Sequence, residues 1–301
     1  TTSRQYLDVA LDVLSDYLIH PTFPPAEVEI QRGIIWNELN GDLDDPNQLL
    51  HDLYYETAFR EHPARFPVGG YKELFMELTR QDVVEFYQQH YVPDNLIFVA
   101  VGDFKTSEML EKICLAFQDF RRRIPTAIEL PGEPRQLAHR RVDRYMDVEL
   151  AYLTMGYHTV KVEHSDASVL DLISTLLGSG ESSRLFHILK NQRQLAYAIQ
   201  VWSESPRYEG GCFSIDAEVE IEKLAEVEEI ILGQIERIQS EPVSESELKR
   251  ARTIEESEYL FALQIVDEHG MMLGIDELTT GDCQFHEKYL QQIRSVTAED
   301  I

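Results

Sequence analysis

The sequence predicts an α+β fold built from two copies of one unit, and three observations carry that prediction. Apolar residues recur with helical spacing over much of the chain, interrupted by short strand-like runs. Those runs come in blocks rather than in strict strand–helix alternation, which argues against a doubly wound parallel sheet. Two short segments also recur in one register. "EVEIQRG" at 27–33 resembles "ESELKRA" at 245–251, and "LTRQDV" at 78–83 resembles "VTAEDI" at 296–301, each pair offset by 218 residues.

Taken in order, apolar residues at 6, 7, 10, 11, 14 and 18 predict a first helix. The prolines of "HPTFPPAEVEI" break it and start a second near Ala26, expected to end before Gly41. "PNQLLHDLYYETAF" reads as a third helix, "PARFPVGG" as a loop, and Thr79 as the N-cap of a helix through "RQDVVEFYQQHY". "NLIFVAVGDF" has the composition of a buried strand, followed by a helix over 107–119. The basic and then Pro- and Gly-punctuated stretch 121–137 is the expected linker between a first half, 1–120, and a second, 138–301. In the second half, "VDRYMDVELAYLTMGYH", "LAYAIQVWSES" and "GGCFSIDAEVE" read as strands, with "PRYEGG" as a turn. "DASVLDLISTLLG" and "ESSRLFHILKNQRQ" read as helices, and two long helical segments follow over 221–239 and 244–275. The first copy continues past "LTRQDV" while the second stops at Ile301. The second copy has about a hundred residues before 245 and the first only 26 before 27, so both ends look clipped.

Composition narrows the function. A chain of 301 residues, 43% hydrophobic, can bury two sizeable cores. A formal charge of −27 excludes ordinary phosphate-backbone binding and favours a well-solvated surface or a basic partner. Cys114, Cys212 and Cys283 are scattered and odd in number, predicting neither a disulfide framework nor a cysteine zinc site. No apolar run approaches the roughly 20 residues of a membrane span. No leader pattern is visible, and the cytoplasm is expected over export.

"RGIIWNELNGDLDDPNQLLHDLYYETAF", "LTRQDVVEFYQQHYVPDNLIFVAVGDF" and "GSGESSRLFHILKNQRQLAYAI" together resemble the pitrilysin/insulinase family of zinc metallopeptidases, in the family's order and over nearly the whole chain. The resemblance implies halves that are each a mostly antiparallel sheet packed with helices, closing as a clamshell around an unfolded or short peptide. The second family domain comes from the same chain or from a partner subunit. It also implies Zn²⁺ held by an inverted zincin, H-x-x-E-H, and a distal Glu. Two imidazoles and one carboxylate leave a fourth position where bound water loses a proton easily, and the motif's own Glu accepts it. By this match Glu38 is the distal metal ligand. None of the ten histidines begins H-x-x-E-H, so the motif and its general base are expected upstream of Thr1, and the chain alone is expected to be inactive. Glu256 stands in the same register in the second copy, where no pair of histidine ligands accompanies it, and that copy is expected to be structural.

The resemblance further implies that Tyr197, in "LAY", holds the substrate backbone and the developing oxyanion together with a basic residue seven positions earlier. That position is Lys190, which keeps the charge of the usual Arg but lacks its fork, and Arg193 is a nearby substitute. Gly178, Gly180 and Arg184 match structural positions of the same segment. "DLDDP" lacks the spacing of an EF-hand and reads as a turn between helices. A structural role competes at each site: a helix-border carboxylate for Glu38, a sheet-packed Tyr197, a solvated Lys190. Two other readings of the whole remain open, a non-catalytic structural or substrate-gripping subunit of the same family, and an unrelated acidic α+β binding domain.

Overall fold

The computed structural model describes residues 1–125, 128–207 and 211–301, without the side chains of Asp42 and Leu43. The expected linker includes 126–127 and the expected "PRYEGG" turn includes 208–210, which lie outside the described residues. Described helices account for most of the regular structure. In the first half these are α1 Leu7–Ile19, α2 Pro25–Asp44, α3 Pro46–Ala58, α4 Lys72–Glu77, α5 Arg80–His90 and α6 Thr106–Ala116. The second half has α7 Ala167–Gly178, α8 Arg184–Phe186 running into a π-helical turn at His187–Gln192, α9 Leu224–Ser240, α10 Glu245–Ala262, α11 Val266–Thr280 and α12 Phe285–Ser295. One antiparallel sheet, in the order β1-β3-β2, is formed by β1 Ala151–His158, β2 Ala196–Glu204 and β3 Cys212–Val219, all in the second half; contrary to the expectation of a sheet in each half, the described residues of the first half form helices and no strand.

Helix ends follow local chemistry. Asp45 accepts hydrogen bonds from the Asn47 and Gln48 backbone amides, and Pro46 has no N–H to continue a helix, so α2 stops where α3 begins. Gly41 therefore lies inside α2 and does not end it, contrary to expectation. Thr79 and Asp82 form a reciprocal capping box that starts α5, as the sequence predicts. Thr297, 218 residues later, makes the same bonds to Asp300 through its backbone and its hydroxyl, at 2.7 Å each. α2 and α10 end 218 residues apart, at Asp44 and Ala262, and so do α4 and α12, at Glu77 and Ser295.

Several other expectations are corrected. "NLIFVAVGDF" forms no strand, and Leu96, Ile97 and Phe98 remain exposed. A strand is stable only when its backbone groups find a neighbour, and no described segment pairs with this one. Instead Val99 and Val101 lie over Gly274 and Gly270 of α11. Residues 142–150 are also irregular, so only the second part of the predicted strand is realised. The segment expected as one helix over 244–275 breaks at Leu263–Ile265, where tight turn bonds end α10 and Ile265 turns extended, and α12 was not anticipated.

The core lies on one face of the sheet. Ile199, Val201, Phe213, Ile215, Ala217 and Val219 meet Leu172 and Leu176 of α7, Val227 and Ile231 of α9, and Leu248 of α10. The alternation of β3 is the expected period of two: residues 213, 215, 217 and 219 are buried, and 214, 216 and 218 are less so. Burying each large aliphatic side chain contributes about 1.5–3 kcal/mol. The other face, with Tyr152, Thr154, Gln200, Trp202 and Asp216, meets α3 across a groove of about 740 Å³. Gly156 admits α3 to that face, because a Cβ there would stand 2.0 Å from the Tyr54 hydroxyl oxygen. Glu133 ties the connecting segment to the first half, its carboxylate accepting the backbone amides of Arg60, Glu61 and His62 at 2.9–3.1 Å.

Candidate functional site

Glu38 occupies α2 one residue before buried Leu39, at the border of the helix's packed face. Its side chain is exposed, and no hydrogen bond or ion pair to it is found among the described residues. The described residues include no group of three or more His, Cys, Asp or Glu side chains that could hold a metal ion. One carboxylate does not make a zinc site, so the residues present do not by themselves fit the metal. In the second copy, Glu256 accepts a hydrogen bond from Arg294 Nε at 2.9 Å.

Lys190, Arg193 and Tyr197 all lie on the junction between α8 and β2, each with a different partner, and the backbone there departs from regular geometry three times. Residues 187–192 form a π-helical turn, a form that recurs at functional sites. Gln194 adopts φ +53, a left-handed conformation that a residue with a Cβ disfavours by about 1–2 kcal/mol. At the start of β2 the register slips, with Ala196 opposite Val219 and Ala198 opposite Glu218, so Tyr197 is the extra residue of a β-bulge. Simple alternation would point Tyr197 to the core side with Ile199 and Val201, whereas the bulge leaves its ring 55% exposed. The Leu195 amide bonds the Leu189 carbonyl at 2.7 Å and the Arg193 amide the Ile188 carbonyl at 3.0 Å, which fixes the junction.

Carboxylates of the β3–α9 connection and of the first turn of α9 meet this junction. The Tyr197 hydroxyl donates to Glu220 Oε1 at 3.0 Å, and Lys223 Nζ lies 3.1 Å from Glu220 Oε2 and 3.4 Å from the Gln194 carbonyl. Hydrogen bonding by Lys223, then by Tyr197, holds the Glu220 carboxyl below its ordinary range, and the bond to Glu220 raises the Tyr197 phenol. Arg193 Nη1 pairs with Glu226 Oε1 at 3.0 Å, whereas Lys190 Nζ lies over the Phe186 ring at 4.9 Å. None of these contacts reaches Glu38. Sequence reasoning missed Glu220, Lys223 and Gln194. The i, i+3 Glu220–Lys223 spacing is visible in the sequence, but its closeness to Tyr197 comes only from strand pairing. Arg184 is structural, as expected: it forks onto Glu247 of α10 at 3.0 and 3.4 Å.

Comparison with known proteins identifies the family of the chain. A family profile described as "Peptidase M16 inactive domain" matches residues 77–255, and one described as "Insulinase (Peptidase family M16)" matches residues 1–70. An uncharacterized zinc protease of Bacillus subtilis, YmxG, is 21% identical over 99% of this chain and 71% of its own length. An uncharacterized zinc protease of Streptomyces coelicolor, SCO5738, is 26% identical over 98% of this chain, which spans 65% of that relative. Among solved structures, a protease from Helicobacter pylori superposes with a TM-score of 0.93 at 23% identity, covering 99% of this chain and 73% of that one. A chain of complex III2 from Candida albicans superposes at 0.81 and 16%, covering 99% and 73%. No described helix is long and apolar enough to cross a membrane. With profile matches covering both of its regions, the chain belongs to the M16 (insulinase) peptidase family.

Proposed function

We propose that this chain is part of a zinc metalloendopeptidase that hydrolyses peptides in a chamber between two halves, 1–120 and 138–301. Glu38 would supply one metal ligand, and residues outside the 301 would supply the two histidines and the general base. Tyr197 would hold the peptide backbone, with Arg193 and Lys190 as the basic groups beside it. Support for the duplication comes from the repeated capping pattern at Thr79 and Thr297 and from helix ends spaced 218 residues apart. The α3 helix packs on the second half's sheet and the equivalent α11 lies under Val99 and Val101, an exchange that fits two related halves.

The observation that carries the peptide-binding part is the junction that turns Tyr197 outward through a bulge, next to a left-handed Gln194 and a π-helical turn. Strain of this kind persists where surrounding structure fixes it and is concentrated at ligand sites. A non-catalytic subunit of the same family is the second reading, favoured by the likeness to a chain of complex III2.

Metal analysis and peptide hydrolysis separate the two. A protein extended to the length of its relatives is expected to bind one zinc per chain and to cleave a quenched fluorogenic peptide. Its Glu38→Gln variant is expected to lose most of the metal and the activity. Zinc bound as tightly by Glu38→Gln as by the parent overturns the ligand assignment. Stoichiometric zinc and hydrolysis by the 301-residue chain alone overturn the placement of the other ligands outside it.

A further inference from the structure

We propose that the groove between α3 and the outer face of the sheet is a binding site for a small planar organic cation, an amidinium or guanidinium group carried on an apolar body. Neither Glu38 nor Tyr197 lines this groove, so it is separate from the proposed metal ligand and peptide contact.

Strand register builds the floor of the groove. Thr154, Asp216 and Gln200 form one row across β1, β3 and β2, and Gly156, Ser214 and Trp202 form the next. Asp216 therefore stands on the central strand, one residue pair along from Trp202 on the edge strand. The Trp202 side of the floor is open, with 55% of that residue exposed. At the other end of its row, Tyr54 of α3 seats its hydroxyl against Gly156. A space of about 740 Å³ remains between helix and sheet. Sites for small ligands typically measure about 300–1,000 Å³ and combine apolar walls with a few placed polar groups.

The walls select the charge of the ligand. Glu204, Asp216 and Glu218 line the groove, and among the described residues no Lys or Arg does. The Tyr55 hydroxyl of α3 donates to Glu204 and orients it. Asp216 Oδ1 accepts from the Thr154 hydroxyl at 2.7 Å. Burial holds the Asp216 carboxyl above its ordinary range, against the hydrogen bonds of Thr154 and Trp202 and the charge of His51 on α3. No Lys or Arg pairs with this carboxylate among the described residues, and a sheltered carboxylate without a permanent counter-ion is costly. A bound cation would supply the missing charge. An amidinium or guanidinium presents a flat fork of N–H donors to a carboxylate, and the faces of Trp202 and Tyr152 attract such a group through their π electrons. An anion would meet three carboxylates in a chain of net charge −27.

The test compares benzamidine, an aromatic amidinium, with benzamide, a neutral molecule of nearly the same shape. Each is titrated by calorimetry into the protein extended to the length of its relatives. Benzamidine is expected to bind roughly tenfold more tightly than benzamide, the worth of a hydrogen bond to a charged partner. Asp216→Asn keeps an oxygen to accept from Thr154 and removes the charge, so it should erase most of that preference. Trp202→Leu, a change at an exposed position, should weaken benzamidine about fivefold, the loss of an ordinary cation–π contact. Thermal unfolding near the parent's midpoint shows that each variant keeps its fold. Equal affinities for the two probes, or no binding of either, overturn the proposal. So does benzamidine affinity that is unchanged in both variants, which would place the cation elsewhere on the acidic surface. If Asp216→Asn melts early, Trp202→Leu decides alone, and unchanged benzamidine affinity in that variant overturns the site.

Discussion

Glu255 offers a direct test of the packing in the second half. It lies on α10, accepts a hydrogen bond from the Thr175 hydroxyl of α7, and stands near Asp171, which in turn receives the Tyr289 hydroxyl of α12. Burial, reinforced by the charges of Asp171 and Glu258, pushes the Glu255 carboxyl from 4.5 up to about 7. The folded pKa exceeds the unfolded one, so the fold prefers the protonated acid. Stability is complete below about pH 4.5 and is lost as pH rises through about 7. At ~1.36 kcal/mol for each pH unit between the two values, the loss amounts to about 3 kcal/mol by pH 8. Glu255→Gln keeps the shape and the partner for Thr175 but never ionises. Thermal unfolding followed by circular dichroism at pH 5 and pH 8 gives the comparison. The variant is expected to match the parent at pH 5 and to melt roughly 5–10 °C higher at pH 8, taking about 2–4 °C per kcal/mol for a protein of this size. A parent and variant with the same change in midpoint between the two pH values would refute the buried-acid argument. So would a variant that melts lower at pH 8.

Two further outcomes are expected from the packing. Gly156→Ala places a methyl group 2.0 Å from the Tyr54 hydroxyl oxygen, so the Tyr54 ring must give way. Urea denaturation should show a loss of about 2 kcal/mol, and Tyr54→Leu in the same chain should recover part of it; no loss in Gly156→Ala would mean that Tyr54 does not pin α3 there. Glu247, hydrogen-bonded by Arg184 and by the Ser244 cap, has its carboxyl lowered to about 2, so its stabilisation is present above about pH 4.5 and is lost as pH falls through about 2. Glu247→Gln should therefore cost roughly 1–2 kcal/mol at pH 7, after allowance for solvent screening, and less at pH 3; equal costs at the two pH values would rule out the ion pair as the source.

Local features were legible in the sequence wherever the physics is local. The Thr79 cap, the prolines that separate the first helices, and the alternation of "CFSIDAEV" were readable because capping, a missing N–H and the strand period involve residues close in the chain. Family resemblance marked Glu38 and Tyr197, and the 218-residue offset reappears in the helix ends. What the sequence could not determine depends on neighbours distant in the chain. "NLIFVAVGDF" has strand composition, yet pairing partners, not composition, make a strand. Gly41 permits a helix end without requiring one, and Asp45 with Pro46 decided it. The bulge at Tyr197 exists only in register with β3, and only that register sets Glu220 and Lys223 beside the tyrosine. The sequence by itself thus determined the family and the local helix starts. Tertiary structure alone decided which way Tyr197 faces and what its hydroxyl is bonded to, because strand register is a contact between segments far apart along the chain.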